Sequence, residues 1–472
     1  MENAAIKENL VSFQNSHGAD GRGSVLRMSR HAAAFEIYSA DAVLLTSEVL
    51  REFKIIWQDR TLYSGRAVVR NLLHTGLVTV CEVTLDDGWS DVDVSAAASP
   101  AGLAGQFNGF LHEWQKLYRV LPEYKVVLAD LQTFFTDLRL WLEQVELGLR
   151  AAPAGDRLRL EQEVISHLSP PVVSAIASLF GNYEHVAARI EPDLVPAHRA
   201  FAKRQLHPLL LTSPFVHRSY AKPLGYAGDY EMVNMMFRDL AEGGSLFSKL
   251  INVYALQLPP ICAHRNRIGY LTSHLATEAM RLAAAGRALR VFNLGCGPAL
   301  EVQRFLAGNE LSSRAAFTLL DFNDETLAYS NTRLNEIKRR HNRATQLHLA
   351  KKPVHQLLKQ AERGVATPAA EQFDVVYCAG LFDYLSDKVC RKLMDIFYQQ
   401  LAPGDLLIAT NVTTNPARHE MECFLEWHVI HRTAEQMHAL TPGRAAAENA
   451  TLKHDPTSVN LFLEIRKPTS ES

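Results

Sequence analysis

The segment VFNLGCGPALEVQRFL, residues 291–306, carries the residues best placed to do chemistry. An apolar run ends in Gly295-Cys296-Gly297-Pro298, and an apolar-periodic helix follows. Glycines at a strand-to-helix turn let the backbone approach a nucleotide and bring the free N–H groups of the helix start toward it. The next predicted strand, AAFTLLDF at 315–322, ends in Asp321. An acid at that tip accepts hydrogen bonds from both hydroxyls of a ribose. Turn and acid together predict a nucleoside-containing cofactor. The third position of a dinucleotide fingerprint is Leu300 rather than glycine, which argues against a dinucleotide. Further on, AGLFDYLSDK at 379–388 follows another strand. There Asp383 and Tyr384 either face the ligand side of an open α/β sheet, or Asp383 caps the following helix.

A second set of polar and aromatic residues lies upstream, in SPFVHRSYAKPLGYAGDYEMVNMMF at 213–237. His217, Arg218, Tyr220, Lys222, Tyr226, Asp229 and Tyr230, with Gly225 and Gly228, make either a loop that closes over a ligand or a surface cover for a helical layer. Met232, Met235, Met236 and Phe237 read as an adaptable apolar wall or as plain core. His428 and Arg432 are spaced to share a helix face, lining an acceptor pocket or facing solvent. The six cysteines form no C-x-x-C pair and no zinc-finger spacing, so no metal site is expected.

The elements that must position these residues follow from periodicity. Five β-branched and aromatic runs (23–30, 32–39, 50–57, 62–73 and 76–85) predict a small barrel. SAAASPAGLAG at 95–105 reads as a linker. Leu128, Leu131, Phe135, Leu138, Leu142, Val145 and Leu149 give an apolar seam over 123–150, either a coiled-coil dimer or an intramolecular helix pair. Pro170 and Pro171 predict a break or kink in the helix over 158–181, and a further helix is expected over 196–210. From about 260 to 466, strands at 288–295, 315–322, 346–350, 373–380, 405–411 and 460–467 alternate with helices, the pattern of a parallel, doubly wound sheet.

Composition narrows the class. The chain has 472 residues, 47% hydrophobic and 21% charged, which excludes a disordered or collagen-like chain. A formal net charge of -2 gives no global footprint for nucleic acid. The N-terminus lacks the basic start and apolar run of a signal peptide, and no run approaches 18 consecutive apolar residues. The expectation is a cytoplasmic protein.

The region 260–466 resembles the class I S-adenosylmethionine-dependent methyltransferases, whose first motif is (D/E)-x-G-C-G-x-G. Two positions depart from it: the acid is Asn293 and the third glycine is Ala299. The acidic residue that often follows the third strand is also missing from KKPVHQLL at 351–358. The resemblance implies S-adenosylmethionine as cofactor, held by Arg267, Asn293, Gly295, Cys296, Gly297, Asp321 and Phe322. Asn293 and Arg267 would meet its amino-acid end and Phe322 its adenine; Arg267 could equally form a surface ion pair. KPLGYAGDYEMVNMMF (222–237), AHRNRIGYL (263–271) and FLEWHVIHRT (424–433) resemble the bacterial group described as extracellular factor, or 3-hydroxypalmitic acid methyl ester, biosynthesis proteins. That implies O-methylation of a 3-hydroxy fatty acid carboxylate for quorum sensing, with His217, Tyr226, Asp383 and Tyr384 as catalytic candidates; the alternatives are methylation of another small molecule and a non-catalytic, nucleoside-binding regulatory protein. The N-terminal runs resemble a PilZ domain. Its D/N-x-S-x-x-G pattern is here Arg27-Met28-Ser29-Arg30-His31-Ala32, which retains only Ser29 and implies a barrel that docks or dimerises without binding cyclic di-GMP.

The expected architecture is multidomain α/β. A PilZ-like β-barrel occupies 1–98, a helical connector and active-site lid 99–258, and a Rossmann-like class I methyltransferase domain 259–472. The expected partners are a small acyl substrate and a second copy, bound through the 123–150 helix or the barrel. No nucleic acid and no stable membrane insertion are expected.

Overall fold

Alternation of apolar and polar side chains builds the first element of the fold. In the computed structural model, six antiparallel strands close into a barrel in the order β1-β2-β3-β6-β5-β4. They are β1 (Leu10–Gln14), β2 (Asp20–Ser29), β3 (Ala32–Ile37), β4 (Val49–Trp57), β5 (Arg60–His74) and β6 (Thr79–Leu85). Inward residues of successive strands supply the core, where the rings of Phe13, Phe35, Phe53 and Tyr63 lie 5.6 to 6.4 Å apart. β1 closes the barrel by pairing with β4 and is a strand beyond those predicted. The structure describes residues 10–37, 44–57, 60–74, 79–86, 120–362 and 372–469, with a few positions between 104 and 111. The predicted linker at 95–105 falls almost wholly outside them.

Helices follow: α1 (Pro122–Ala151), α2 (Arg157–Ala187), α3 (Val195–Leu210), α4 (Pro214–Ala221), α5 (Tyr230–Met235) and α6 (Leu246–Leu256). The seam of α1 packs within the chain. Phe135 meets Phe180 of α2 at 6.2 Å and Phe247 of α6 at 6.4 Å, and Tyr124 meets Tyr183 at 5.6 Å. The predicted break at Pro170-Pro171 does not occur, since α2 runs through both. The carbonyls they leave without a donor belong to Ser166 and His167, both on the exposed side where water can serve them. α2 also carries an 18-residue window of mean hydropathy 1.4, of which 17% is buried, so by length and composition it could cross a membrane.

The second sheet has the order β12-β13-β11-β10-β7-β8-β9. α7 (Pro259–Ala284) precedes β7 (Arg290–Leu294), α8 (Leu300–Gly308), β8 (Ala316–Asp321), α9 (Asp324–Arg340) and β9 (Gln346–Lys351). Then come α10 (Val354–Glu362), β10 (Phe373–Cys378), α11 (Asp387–Gln400), β11 (Leu401–Val412), α12 (Ala434–His438), β12 (Ala450–His454) and β13 (Asn460–Arg466). β7 to β11 are parallel and β13 runs antiparallel between β11 and β12. This is the class I methyltransferase arrangement, and with the barrel it makes the chain multidomain α/β. The strand order reverses between β7 and β10, so their C-terminal ends frame the crevice where such sheets bind ligands.

The chain forms two compact units. One comprises Met1–Ala227, Asp239–Leu256 and Pro416–His428; the other Gly228–Arg238, Gln257–Asn415 and Val429–Ser472. Barrel and helices thus group together. The boundary expected at 258/259 is crossed twice, by 228–238 in one direction and 416–428 in the other.

Candidate active site

β7 is buried along most of its length and delivers the chain to the crevice at Gly295. Gly295 (φ +72°), Gly297 (φ +52°) and Ala299 (φ +50°) are all left-handed, which folds the turn tightly before α8. The first two are glycines, as that conformation favours. Ala299 holds it with a side chain, at a cost of about 1–2 kcal/mol, so more than an added methyl separates it from glycine. Gly295 N and Cys296 N donate to Leu320 O at 2.8 and 3.1 Å, locking the turn to β8. The Cys296 thiol packs in the apolar core, where burial pushes its pKa well up.

Asp321 ends β8. One carboxylate oxygen accepts from Gly297 N at 3.0 Å and the other from Asn323 N at 3.1 Å. Burial raises its pKa, and these N–H groups with that of Phe322 oppose the rise. The carboxylate is therefore anchored to the glycine turn with lone pairs left for further donors. Phe322 follows, half-buried. Asp229 caps α5, accepting from Glu231 N and Met232 N at 3.0 and 2.9 Å. Tyr230 then reaches the start of α9, where its hydroxyl donates to Glu325 at 2.9 Å and its ring stacks on Tyr329 at 4.7 Å. Met232, Met235 and Met236 are buried core residues.

Arg267 of α7 is 6% exposed, yet its Nε and Nη1 have no hydrogen-bond partner among the described residues. Nη1 lies 3.9 Å from Asp383 Oδ2. The guanidinium occupies the space beside Gly380 (φ +89°), where a Cβ would sit 2.9 Å from Nη1 and Nη2. Asp383 does not cap α11. It is buried in the turn after β10, accepts from Val412 N at 2.8 Å, and has its pKa pushed up to about 6 by burial, with Arg267, Val412 N–H and Arg432 opposing. Tyr384 beside it is half-buried.

Asn293 is buried at the end of β7. Its Nδ2 donates to Glu301 Oε1 at 3.4 Å, while its Oδ1 has no partner among the described residues. Glu301 also accepts from the Tyr377 hydroxyl at 2.6 Å. The carboxyl group that Asn293 lacks is thus present in Glu301, in the first turn of α8, where burial raises its pKa and the Tyr377 hydroxyl and Arg267 oppose the rise. Glu301 and Gly380 are the residues that sequence reasoning missed. An acid just after a glycine turn was a usable signal for the first, and the second appears only once α7 is packed on the sheet.

The structure brings Arg267, Asn293, Gly295, Gly297, Asp321, Phe322, Asp383 and Tyr384 onto the second unit. His217 is exposed on α4, and Tyr226 is half-buried; both belong to the first unit, as do Tyr220 and Lys222. His428 and Arg432 do not share a helix face: the wide (π) turn Met421–Leu425 ends at left-handed Glu426 (φ +49°), and the chain runs on without helix. Arg432 is 1% exposed and donates to Phe382 O at 2.7 Å, Leu385 O at 2.6 Å and Asp387 at 2.8 Å, as well as to Asn411. It clamps the loop that carries Asp383.

No family model matches the chain, and no curated protein matches it. Solved structures do. A possible exported protein from Bordetella parapertussis matches at 17% identity and a TM-score of 0.40, over 68% of this chain and 100% of that one. Magnesium protoporphyrin IX methyltransferase from Synechocystis PCC 6803, with bound SAM, matches at 10% identity and a TM-score of 0.31, over 49% of this chain and 89% of that one. An O-methyltransferase family protein from Burkholderia thailandensis matches at 11% identity and a TM-score of 0.30, over 45% and 59%.

Proposed function

We propose that the protein is an S-adenosylmethionine-dependent methyltransferase. The observation that carries this reading is Arg267, a buried guanidinium with unused donors at the crevice that the glycine turn and Asp321 also line. A buried cation with open hydrogen-bond positions fits a ligand carboxylate, and S-adenosylmethionine has one. In this reading Arg267 and Asn293 Oδ1 hold the amino-acid end, Asp321 the ribose hydroxyls, and Phe322 the adenine. When bound, the cofactor supplies an electrophilic methyl group.

The finer reading is methyl-ester formation on a 3-hydroxy fatty acid, as in the extracellular factor biosynthesis proteins. The YAGDYEMVN run supports it by resemblance. The state of Asp383 supports it chemically. Val412 N–H bonds one of its oxygens and Arg267 Nη1 lies 3.9 Å from the other, and both favour the ionised carboxylate; in this reading Asp383 positions Arg267 and no base is required. A carboxylate acceptor is already ionised at neutral pH and needs no base, only orientation and desolvation. The barrel is read as a PilZ-like docking module.

The test is mass spectrometry after incubation with trideuteromethyl S-adenosylmethionine and a panel of 3-hydroxy fatty acids. A labelled methyl ester is expected. Cofactor binding with no ester from any acid would overturn the acceptor, and absence of cofactor binding by the folded protein would overturn the whole reading.

A further inference from the structure

A cavity of about 600 Å3 opens in the first unit between the barrel and α3, lined by residues that include Lys203, Arg204, His207 and Tyr220. That volume suits a small organic molecule. Leu85, Ala200, Pro208 and Leu211 give it an apolar wall. A smaller cavity of about 20 Å3, room for one water, shares His31, Leu85, Ala200 and Lys203 with it. Into this floor come His428 Nε2 and Arg199 Nη1, both buried and without a hydrogen-bond partner among the described residues.

The charge around the cavity is unbalanced. Glu426, fully buried, accepts from Arg66 at 2.7 Å and from Lys203 at 2.6 Å. Lys222 is buried beside it and donates to Leu425 O at 3.2 Å. Asp86 pairs with Arg66 at 3.5 Å, and Arg204 adds a cation at the exposed rim. Among the described residues, Arg70, Arg199, Lys203 and Arg204 line the two cavities against Asp86, Glu422 and Glu426, and Arg66 pairs with Asp86 and Glu426. Three buried non-glycine residues here are left-handed: Ser47 (φ +64°), Lys222 (φ +47°) and Glu426 (φ +49°). Ser47 Oγ donates to the His428 and Glu426 carbonyls at 2.8 and 3.2 Å, so the strained residues form one packed group. Such strain persists where surrounding structure enforces it and concentrates at binding and switch sites.

We propose that this cavity binds a small amphipathic anion, with a carboxylate or phosphate headgroup against Lys203 and Arg204 and an apolar body along Leu85, Pro208 and Leu211. The site is independent of the methyltransferase reading. The excess of cations over carboxylates favours an anion, and the apolar wall favours a ligand with a hydrocarbon or ring body.

The test is titration calorimetry of the full chain with decanoate, decyl phosphate and decanol. Binding of either anion and not of decanol is expected, and which anion binds identifies the headgroup. Arg204→Glu at the rim and Leu211→Trp, which fills the cavity, should each weaken binding at least tenfold while the circular-dichroism spectrum is unchanged. Decanol binding as tightly as the anions, no binding of any probe, or full affinity in both variants would overturn the site.

Discussion

Arg267 of α7 and Gly380 after β10 are fitted to one another, since the guanidinium lies where a side chain at Gly380 would be. The contact sets the cation at the ends of β7 and β10, facing Asp383 at 3.9 Å. It also explains why a glycine with φ +89° interrupts the AGLFDYL run. Gly380→Ala should both strain the backbone, by about 1–2 kcal/mol, and displace Arg267. The expected result is at least a tenfold loss of S-adenosylmethionine affinity by calorimetry. Gly308→Ala, where an added Cβ meets nothing within 4 Å, should leave affinity unchanged.

Ala299 makes a second local prediction. Its methyl is buried, so Ala299→Gly loses about 0.8 kcal/mol of burial, but it also relieves the left-handed strain. Ala279→Gly in α7 makes the same chemical change in a buried helical position without that relief. Because the helical position also loses about 1 kcal/mol of helix propensity, urea denaturation should show Ala279→Gly more destabilising than Ala299→Gly by about 2–3 kcal/mol. A difference of about 1 kcal/mol or less would show that Ala299 carries no strain.

Lys222 predicts a pH dependence. Burial pushes its pKa down to about 7, with Arg66 and Lys203 adding to the fall and Glu426 opposing it. An unfolded lysine titrates near 10.4. Between these values the unfolded chain holds a proton that the folded chain lacks, so stability rises with pH and is lost as pH falls through about 7. The slope is up to about 1.4 kcal/mol per pH unit. Lys222→Met should remove this contribution. Chemical denaturation of both proteins at pH 7, 8 and 9 should show the difference, and parallel curves would contradict it.

The glycine turn, Asp321 and five parallel strands were legible because each rests on local signals: residue types that a tight turn requires, and apolar runs that a doubly covered strand requires. The short strand β12, ATLKH, was not, since it is a half-exposed edge without an apolar run. Nor was the helix through Pro170 and Pro171, whose broken hydrogen bonds fall on an exposed side. The grouping of 416–428 with the first unit depends on pairings such as Arg66 with Glu426, far apart in the chain. Helical spacing misplaced His428 and Arg432 because left-handed Glu426 ends the helical turn before them. Glu301 and Gly380 acquire their roles only through contacts with Tyr377 and Arg267.

The most direct test of the central claim is calorimetry of wild type and Arg267→Met with S-adenosylmethionine and with 5′-methylthioadenosine, which lacks the amino-acid carboxylate. Charge-assisted hydrogen bonds contribute about 1.5–3 kcal/mol. The account predicts that wild type binds S-adenosylmethionine, that Arg267→Met binds it about 10- to 150-fold more weakly, and that both bind methylthioadenosine alike. Failure of the folded wild type to bind S-adenosylmethionine, or undiminished binding by Arg267→Met, would contradict it.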